Sequence, residues 1–215
     1  MRMLTPEESE ALLRKYSLPV AKSFVGKKTQ VLANCPKVGF PLVLKIVSED
    51  VVHKSDFGAV RTGIKSRSEL EVQLQELEMK MSLSYPSYSY RFMIQRQHSG
   101  EEVIIGMKRD EQFGPAILFG LGGIFVEVFK DTSLRIAPVS KKHAKEMIRE
   151  IRSYKMLTGF RERKKANLEA IEKLIIGLSS LSLKETWIHE IDLNPVIVNE
   201  RKATIVDARM MQDGA

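Results

Sequence analysis

The sequence predicts an α+β protein built on antiparallel sheets, and three observations carry that expectation. Segments of strand period and helix period follow one another over 215 residues without the regular strand–helix–strand repeat of a parallel sheet. The glycine-rich turn Gly120-Leu-Gly-Gly123 lacks the third glycine of the dinucleotide-binding fingerprint. The apolar runs 91–97 and 102–108 flank a tight His98-Ser-Gly-Glu101 connection that reads as a β-hairpin.

Taken in order, the elements have local causes. Thr5, Pro6 and Glu8 form a Thr-x-x-Glu capping box with proline at the first helical position, and Pro19 closes that helix. Residues 20–25 read as a short strand, and 26–38 as a loosely patterned stretch with at most a short helix. Residues 40–47 form a strand with one lysine in its middle, and 60–64 form its hairpin partner. Ser66 and Glu69 cap a second helix whose Leu70, Leu74, Leu77 and Met81 share one face. The Ser/Tyr/Pro-rich stretch 82–90 marks the boundary between two lobes, 1–90 and 91–215. Beyond it come strands at 115–119 and 135–139 and helices at 140–152 and 165–181. The chain closes with strands at 187–192, 195–198 and 203–207.

Composition narrows the functional classes. With 43% apolar and 28% charged residues the chain is globular, not a disordered tail or a disulfide scaffold. The single cysteine, Cys35, suits a reducing compartment, and no apolar run reaches the ~18 residues of a membrane helix. The beginning of the chain has no signal-peptide pattern, so the expected location is cytoplasmic, without membrane attachment. The net charge is +7, and residues 141–173 hold 11 Lys/Arg against 5 Asp/Glu. Such a surplus draws phosphates, acidic proteins or nucleic acid, or is simply solvated. Nucleic acid is disfavoured, because only Tyr154 and Phe160 supply aromatic rings within that stretch.

Four groups of residues could carry chemistry. Lys45 lies among aliphatics and points away from the face of Leu44 and Ile46. It is either a phosphate-binding lysine or an exposed lysine on a half-buried strand. His53-Lys-Ser-Asp-Phe-Gly-Ala-Val60 offers small residues for close backbone approach to an anion and a histidine able to act as base or nucleophile. It also reads as an ordinary turn. Gly120-Leu-Gly-Gly123 with Glu127 implies a ligand-binding turn or close packing. Glu190, Asp192 and Asn194 fall on one face at period two, and a hairpin would bring Asp207 beside them. Hard oxygen ligands of this kind suit Mg²⁺, where the alternative is a polar face open to water. Together these groups suggest a nucleotide–magnesium site. The P-loop Gly-x-x-x-x-Gly-Lys and the protein-kinase His-Arg-Asp loop are both absent.

The motifs Phe40-Pro-Leu-Val-Leu-Lys-Ile46, His53-Lys-Ser-Asp-Phe-Gly58, Asp110-Glu-Gln-Phe-Gly-Pro115, Phe119-Gly-Leu-Gly-Gly-Ile124, Val126-Glu-Val128, Glu190-Ile-Asp-Leu-Asn-Pro195 and Val206-Asp-Ala-Arg209 occur in one order along nearly the whole chain. In that order they resemble the ATP-grasp (beta) subunits of ADP-forming acyl-CoA synthetases such as acetate–CoA ligase, relatives of the succinyl-CoA synthetase beta chain. The resemblance implies an ATP-grasp fold, in which two α+β lobes with antiparallel sheets and flanking helices hold ATP or ADP with Mg²⁺. The N-terminal helix, 5–17, would pack on the other lobe. Lys45, Lys54 and Gly58 would serve the phosphates. Gln95, Arg96 and Gln97 would meet adenine, and Glu102 would hold ribose. Asp192, Asn194 and Asp207 would bind the metal, His53 would carry phosphate transiently, and Glu127 would orient an incoming phosphohistidine. Arg135 and Arg161 are further phosphate or partner contacts. The resemblance implies a CoA-binding alpha subunit carrying that phosphohistidine as partner. The alternative is an ATP-grasp module that binds nucleotide without chemistry. This chain departs from the family at Ala59, where a second glycine is usual, and at Glu162. Alanine tolerates positive φ poorly, so a family glycine there would imply a stiffer loop in this chain.

Overall fold

The computed structural model describes residues 1–48, 58–123, 131–159 and 164–213. These fall into two compact units, Ala21–Gln97 and Met1–Val20 with His98–Ala215.

The smaller unit is a four-stranded antiparallel sheet in the order β2 (Ser23–Gly26), β5 (Arg91–Arg96), β3 (Leu42–Val47), β4 (Val60–Ile64). Alternation along β3 buries Leu42, Leu44 and Ile46 completely and leaves Val43, Lys45 and Val47 half-buried on the opposite face. The buried side packs on α2 (Lys28–Val38) and α3 (Arg67–Ser84), whose Leu70, Leu74, Leu77 and Met81 are sealed from solvent. At the start of α3, Ser66 Oγ accepts from Glu69 N at 3.2 Å, as the sequence predicts. The helix α2 is longer than its loose pattern suggests, because it tolerates Pro36. Proline at that position cannot donate to the carbonyl of Leu32, and the buried Cys35 thiol takes that acceptor at 3.3 Å instead.

The larger unit holds a seven-stranded sheet along β1 (Arg2–Met3), β11 (Arg209–Gln212), β9 (Ile188–Val198), β6 (Glu101–Asp110), β7 (Gly114–Leu121) and β8 (Thr132–Ile136), with β10 (Ala203–Ile205) also paired to β9. One face packs on α4 (Lys141–Glu150) and α6 (Leu168–Lys184). Val103, Ile105, Met107, Phe119, Ile191 and Leu193 meet Met147, Ile148, Ile171, Ile175 and Leu178 there. The capping box of α1 (Pro6–Lys15) is formed on both sides, and a short α5 (Tyr154–Leu157) follows α4. Among the described residues no helix is long and apolar enough to cross a membrane.

Three expectations are corrected. Strands β5 and β6 do not form a hairpin. Phe92 and Ile94 feed the core of the smaller unit while Val103 and Ile105 feed that of the larger, so a short connection joins two sheets. The division between units consequently falls at Gln97/His98, not at 90/91, because β5 is an inner strand of the smaller sheet. The expected strands at 187–192 and 195–198 are one continuous β9. Its Pro195 is absorbed at a register shift opposite Val103–Ile105, a place where a sheet tolerates a residue without an N–H.

Glu185 ties α1 to the end of α6. Its carboxylate accepts from Lys15 Nζ at 2.7 Å, Tyr16 Oη at 2.7 Å and Trp187 Nε1 at 2.8 Å. These donors hold its pKa at about 2, down from an ordinary 4.5. A carboxyl depressed on folding stabilises fully above its unfolded value and loses that contribution as pH falls through its folded one. Glu185→Gln is therefore expected to lower the urea midpoint at neutral pH. The difference from wild type should shrink between about pH 4.5 and 2, read from the fluorescence of the lone Trp187. A gap that stayed constant across that window would refute the assignment.

Candidate functional site

Each unit carries its own set of polar side chains on the face turned away from its helices. In the smaller unit Lys45 lies opposite Val60 on β4 and Met93 on β5, with Val43 and Gln95 paired one step along. Lys45 therefore shares a face with Gln95, which is almost wholly buried (2% exposed). Past the end of β5, Gln97 N donates to Pro41 O at 3.0 Å, and its side-chain Oε1 accepts from Gly63 N at 2.7 Å. That acceptor is engaged by the Gly63 N–H. Arg96 N is fixed to Lys22 O at 2.8 Å.

The chain re-enters the described structure at Gly58. Gly58 takes the left-handed conformation (φ 61°), and its carbonyl accepts from Arg61 Nη1. Ala59 is fully buried with its carbonyl bonded to Ile46 N at 3.2 Å, and it does not take positive φ. The departure from the family at position 59 thus introduces no backbone conflict, since the residue that needs glycine is its neighbour. His53, Lys54, Glu127, Arg161 and Glu162 lie outside the described residues.

In the larger unit the C-terminal carboxylates are organised by register. Strand β10 pairs Ile205 with Val196, and β11 pairs Arg209 with Asp192, both at the same offset along β9. The residues between them therefore set Asp207 across from Asn194, and the 3.2 Å bond from Val206 N to Pro195 O continues that ladder. Alternation puts Glu190 and Asp192 on the same face, away from the core side chains of Ile191 and Leu193. Asp192 is half-buried between Gly106 on β6 and Arg209 on β11. Burial pushes its carboxyl up, Arg209 opposes this, and the negative charges of Asp207 and Glu190 reinforce it. Three carboxylates stand against two cations here, Arg209 opposite Asp192 and Lys108 opposite Glu190, so negative charge is in excess. Two carboxylates and an amide oxygen are hard donors that a small divalent cation would satisfy with water and phosphate completing its shell, so the donor set fits Mg²⁺. Among the described residues no three His, Cys, Asp or Glu side chains are placed to hold a metal, so the set depends on Asn194 and on ligands from outside the chain.

Glu102 lies on β6 opposite Ile197. The glycine turn packs against it: Gly122 N donates to Glu102 O at 2.7 Å, and a Cβ at Gly122 would lie 2.9 Å from Glu102 Cβ. Close approach to Glu102 is thus the physical reason for glycine at 122. Arg135 is engaged by the Glu150 carboxylate and by Leu134 O. Two surface hollows, one lined by Lys165–Glu169 with Glu200 and one by Arg2, Leu12, Lys15 and Trp187, contain none of the site residues. Sequence reading missed Gly106, Lys108 and Arg209 as neighbours of the carboxylates, because only strand register brings them there.

An ATP-grasp domain family matches residues 1–211. The chain is 41% identical over 213 residues to the beta subunit of ADP-forming acetate–CoA ligase I of Pyrococcus furiosus, covering 98% of this chain and 92% of that one. It superimposes on the dinucleotide-forming acetyl-coenzyme A synthetase 1 of Ca. Korarchaeum cryptofilum in complex with coenzyme A, Ca-AMPCP and HgCl+ with a TM-score of 0.94, at 38% identity over 99% of this chain and 94% of that one. A second structure of that synthetase holds coenzyme A and Mg-AMPPCP, with a phosphohistidine segment pointing towards the nucleotide binding site. It matches with a TM-score of 0.86 at 37% identity, over 98% and 93% of the two chains. The motif order, the two antiparallel units and these likenesses agree: the chain belongs to the ATP-grasp family and, within it, to the beta subunits of ADP-forming acetate–CoA ligases.

Proposed function

We propose that this chain is the nucleotide-binding beta subunit of an ADP-forming acyl-CoA synthetase, a ligase that uses ATP or ADP with Mg²⁺. The overall reaction is acyl-CoA + ADP + phosphate ⇌ acid + CoA + ATP. The observation that carries the reading is the shared register of β10 and β11 on β9, which assembles Asp192, Asn194 and Asp207 in a chain otherwise matched end to end by nucleotide-binding relatives.

The residues take these roles. Lys45 and Lys54 balance phosphate charge, and Gly58 lets the backbone approach the phosphate oxygens. Gln95, Arg96 and Gln97 recognise the base, and Glu102 accepts from ribose hydroxyls. Asp192, Asn194 and Asp207 would hold Mg²⁺, which when bound neutralises charge building on the phosphate oxygens. His53 accepts the phosphoryl group, and Glu127 orients the phosphohistidine arriving from a CoA-binding alpha subunit. In the ATP-forming direction the N–P bond breaks, its electron pair returns to the imidazole nitrogen, and an oxygen of the ADP β-phosphate forms the new O–P bond. The partner binds CoA and acid, and the assembly works in the cytoplasm.

Incubation with γ-labelled ATP and Mg²⁺, with and without the CoA-binding subunit, tests this. Acid-labile label on this chain that disappears in His53→Ala is the expected result. Nucleotide binding with no label on either chain would make the protein a binding module without chemistry.

A further inference from the structure

We propose that Arg209 is a further phosphate-binding residue of this site, meeting the metal-bound nucleotide from the β11 side of the carboxylates. The inference rests on the nucleotide–magnesium reading and adds a residue to it. Register sets Arg209 directly across from Asp192, and Asp207 lies two residues before it on the same segment. Met210, the next residue, is buried in the core, so alternation turns Arg209 towards the face of Glu190 and Asp192. On the other side of Asp192 stands Gly106, which has no side chain to compete for the space.

Charge on this face is unbalanced. Glu190, Asp192 and Asp207 supply three carboxylates, and register places Lys108 opposite Glu190 and Arg209 opposite Asp192. The Arg209 side chain is exposed and, among the described residues, makes no hydrogen bond and no ion pair within 4.0 Å. Its guanidinium is thus close enough to act on Asp192 through charge while keeping its donors available. A planar guanidinium with open donors matches two oxygens of a phosphate. Before a metal arrives, the same charge competes with it for the carboxylates; once the phosphates are present, it has anions of its own to bind.

This double role predicts effects of opposite sign. Arg209→Gln should bind Mn²⁺ alone, measured by electron paramagnetic resonance of the free ion, about threefold more tightly than wild type. The same variant should bind ADP at saturating Mg²⁺ about tenfold more weakly by calorimetry. Arg209→Lys should restore part of the ADP affinity. A residue needed only for folding would weaken both, and that result, or two unchanged affinities, overturns the proposal. Wild-type protein that binds neither Mn²⁺ nor Mg-ADP overturns the underlying nucleotide reading as well, which separates the two failures.

Discussion

Asp207→Asn is expected to weaken Mg-ADP binding on the order of 100-fold, the upper end of what loss of a metal-site group costs. The substitution keeps the side-chain shape and removes one of the two charges in the proposed metal set. Asn194, opposite Asp207 in the ladder, supplies an oxygen but no charge, so Asp192 would be left as the only anionic ligand. The same change should not destabilise the fold. Asp207 and Glu190 both push the Asp192 carboxyl up, so the native site holds like charges together, and removing one relieves repulsion. Calorimetric titration with Mg-ADP should therefore show a large loss of affinity beside an unchanged or raised denaturation midpoint. Wild-type affinity in Asp207→Asn would remove the metal assignment.

Arg109→Ala should cost about 2–4 kcal/mol of stability of the larger unit, the range for losing charge-assisted bonds to backbone oxygens. Arg109 gathers the end of α6 and the start of β9. Nη2 donates to Ser182 O at 2.7 Å and Glu185 O at 3.2 Å, and Nε donates to Ile188 O at 3.0 Å. Carbonyls at a helix end have no partner within the helix, and Ser182 is fully buried, so truncation strands at least one acceptor away from water. Arg109→Lys, which lacks the fork, should recover only part of the loss. Chemical denaturation followed at Trp187 measures both variants. A midpoint within error of wild type for Arg109→Ala would show that water replaces all three bonds.

The legible parts of the chain were those whose cause is local. Thr5 with Glu8 and Ser66 with Glu69 marked two helix starts, and Leu70, Leu74, Leu77 and Met81 marked a buried face, because capping and periodicity act within a turn or two. Lys45 on its half-buried face and the period-two row Glu190, Asp192, Asn194 were readable for the same reason. The paired terminal strands β1 and β11 were not, since their partners, Arg2 with Gln212 and Met3 with Met211, lie at opposite ends of the chain. The hairpin expected across His98–Glu101 failed because proximity along the chain does not say which core a strand serves. Residues 26–38 looked irregular because the compensation for Pro36 comes from a thiol one residue away, a contact that no periodicity records.

By itself the sequence determined which chemical groups this protein carries and, through motif order, its family: side-chain types, local caps and alternation are properties of short segments. Tertiary structure alone decided which strands are neighbours. Only the common register of β10 and β11 against β9 sets Asp207 across from Asn194 and Arg209 across from Asp192. Hydrogen-bond ladders join residues far apart in the chain, and a shift of one position would turn each of those side chains to the opposite face.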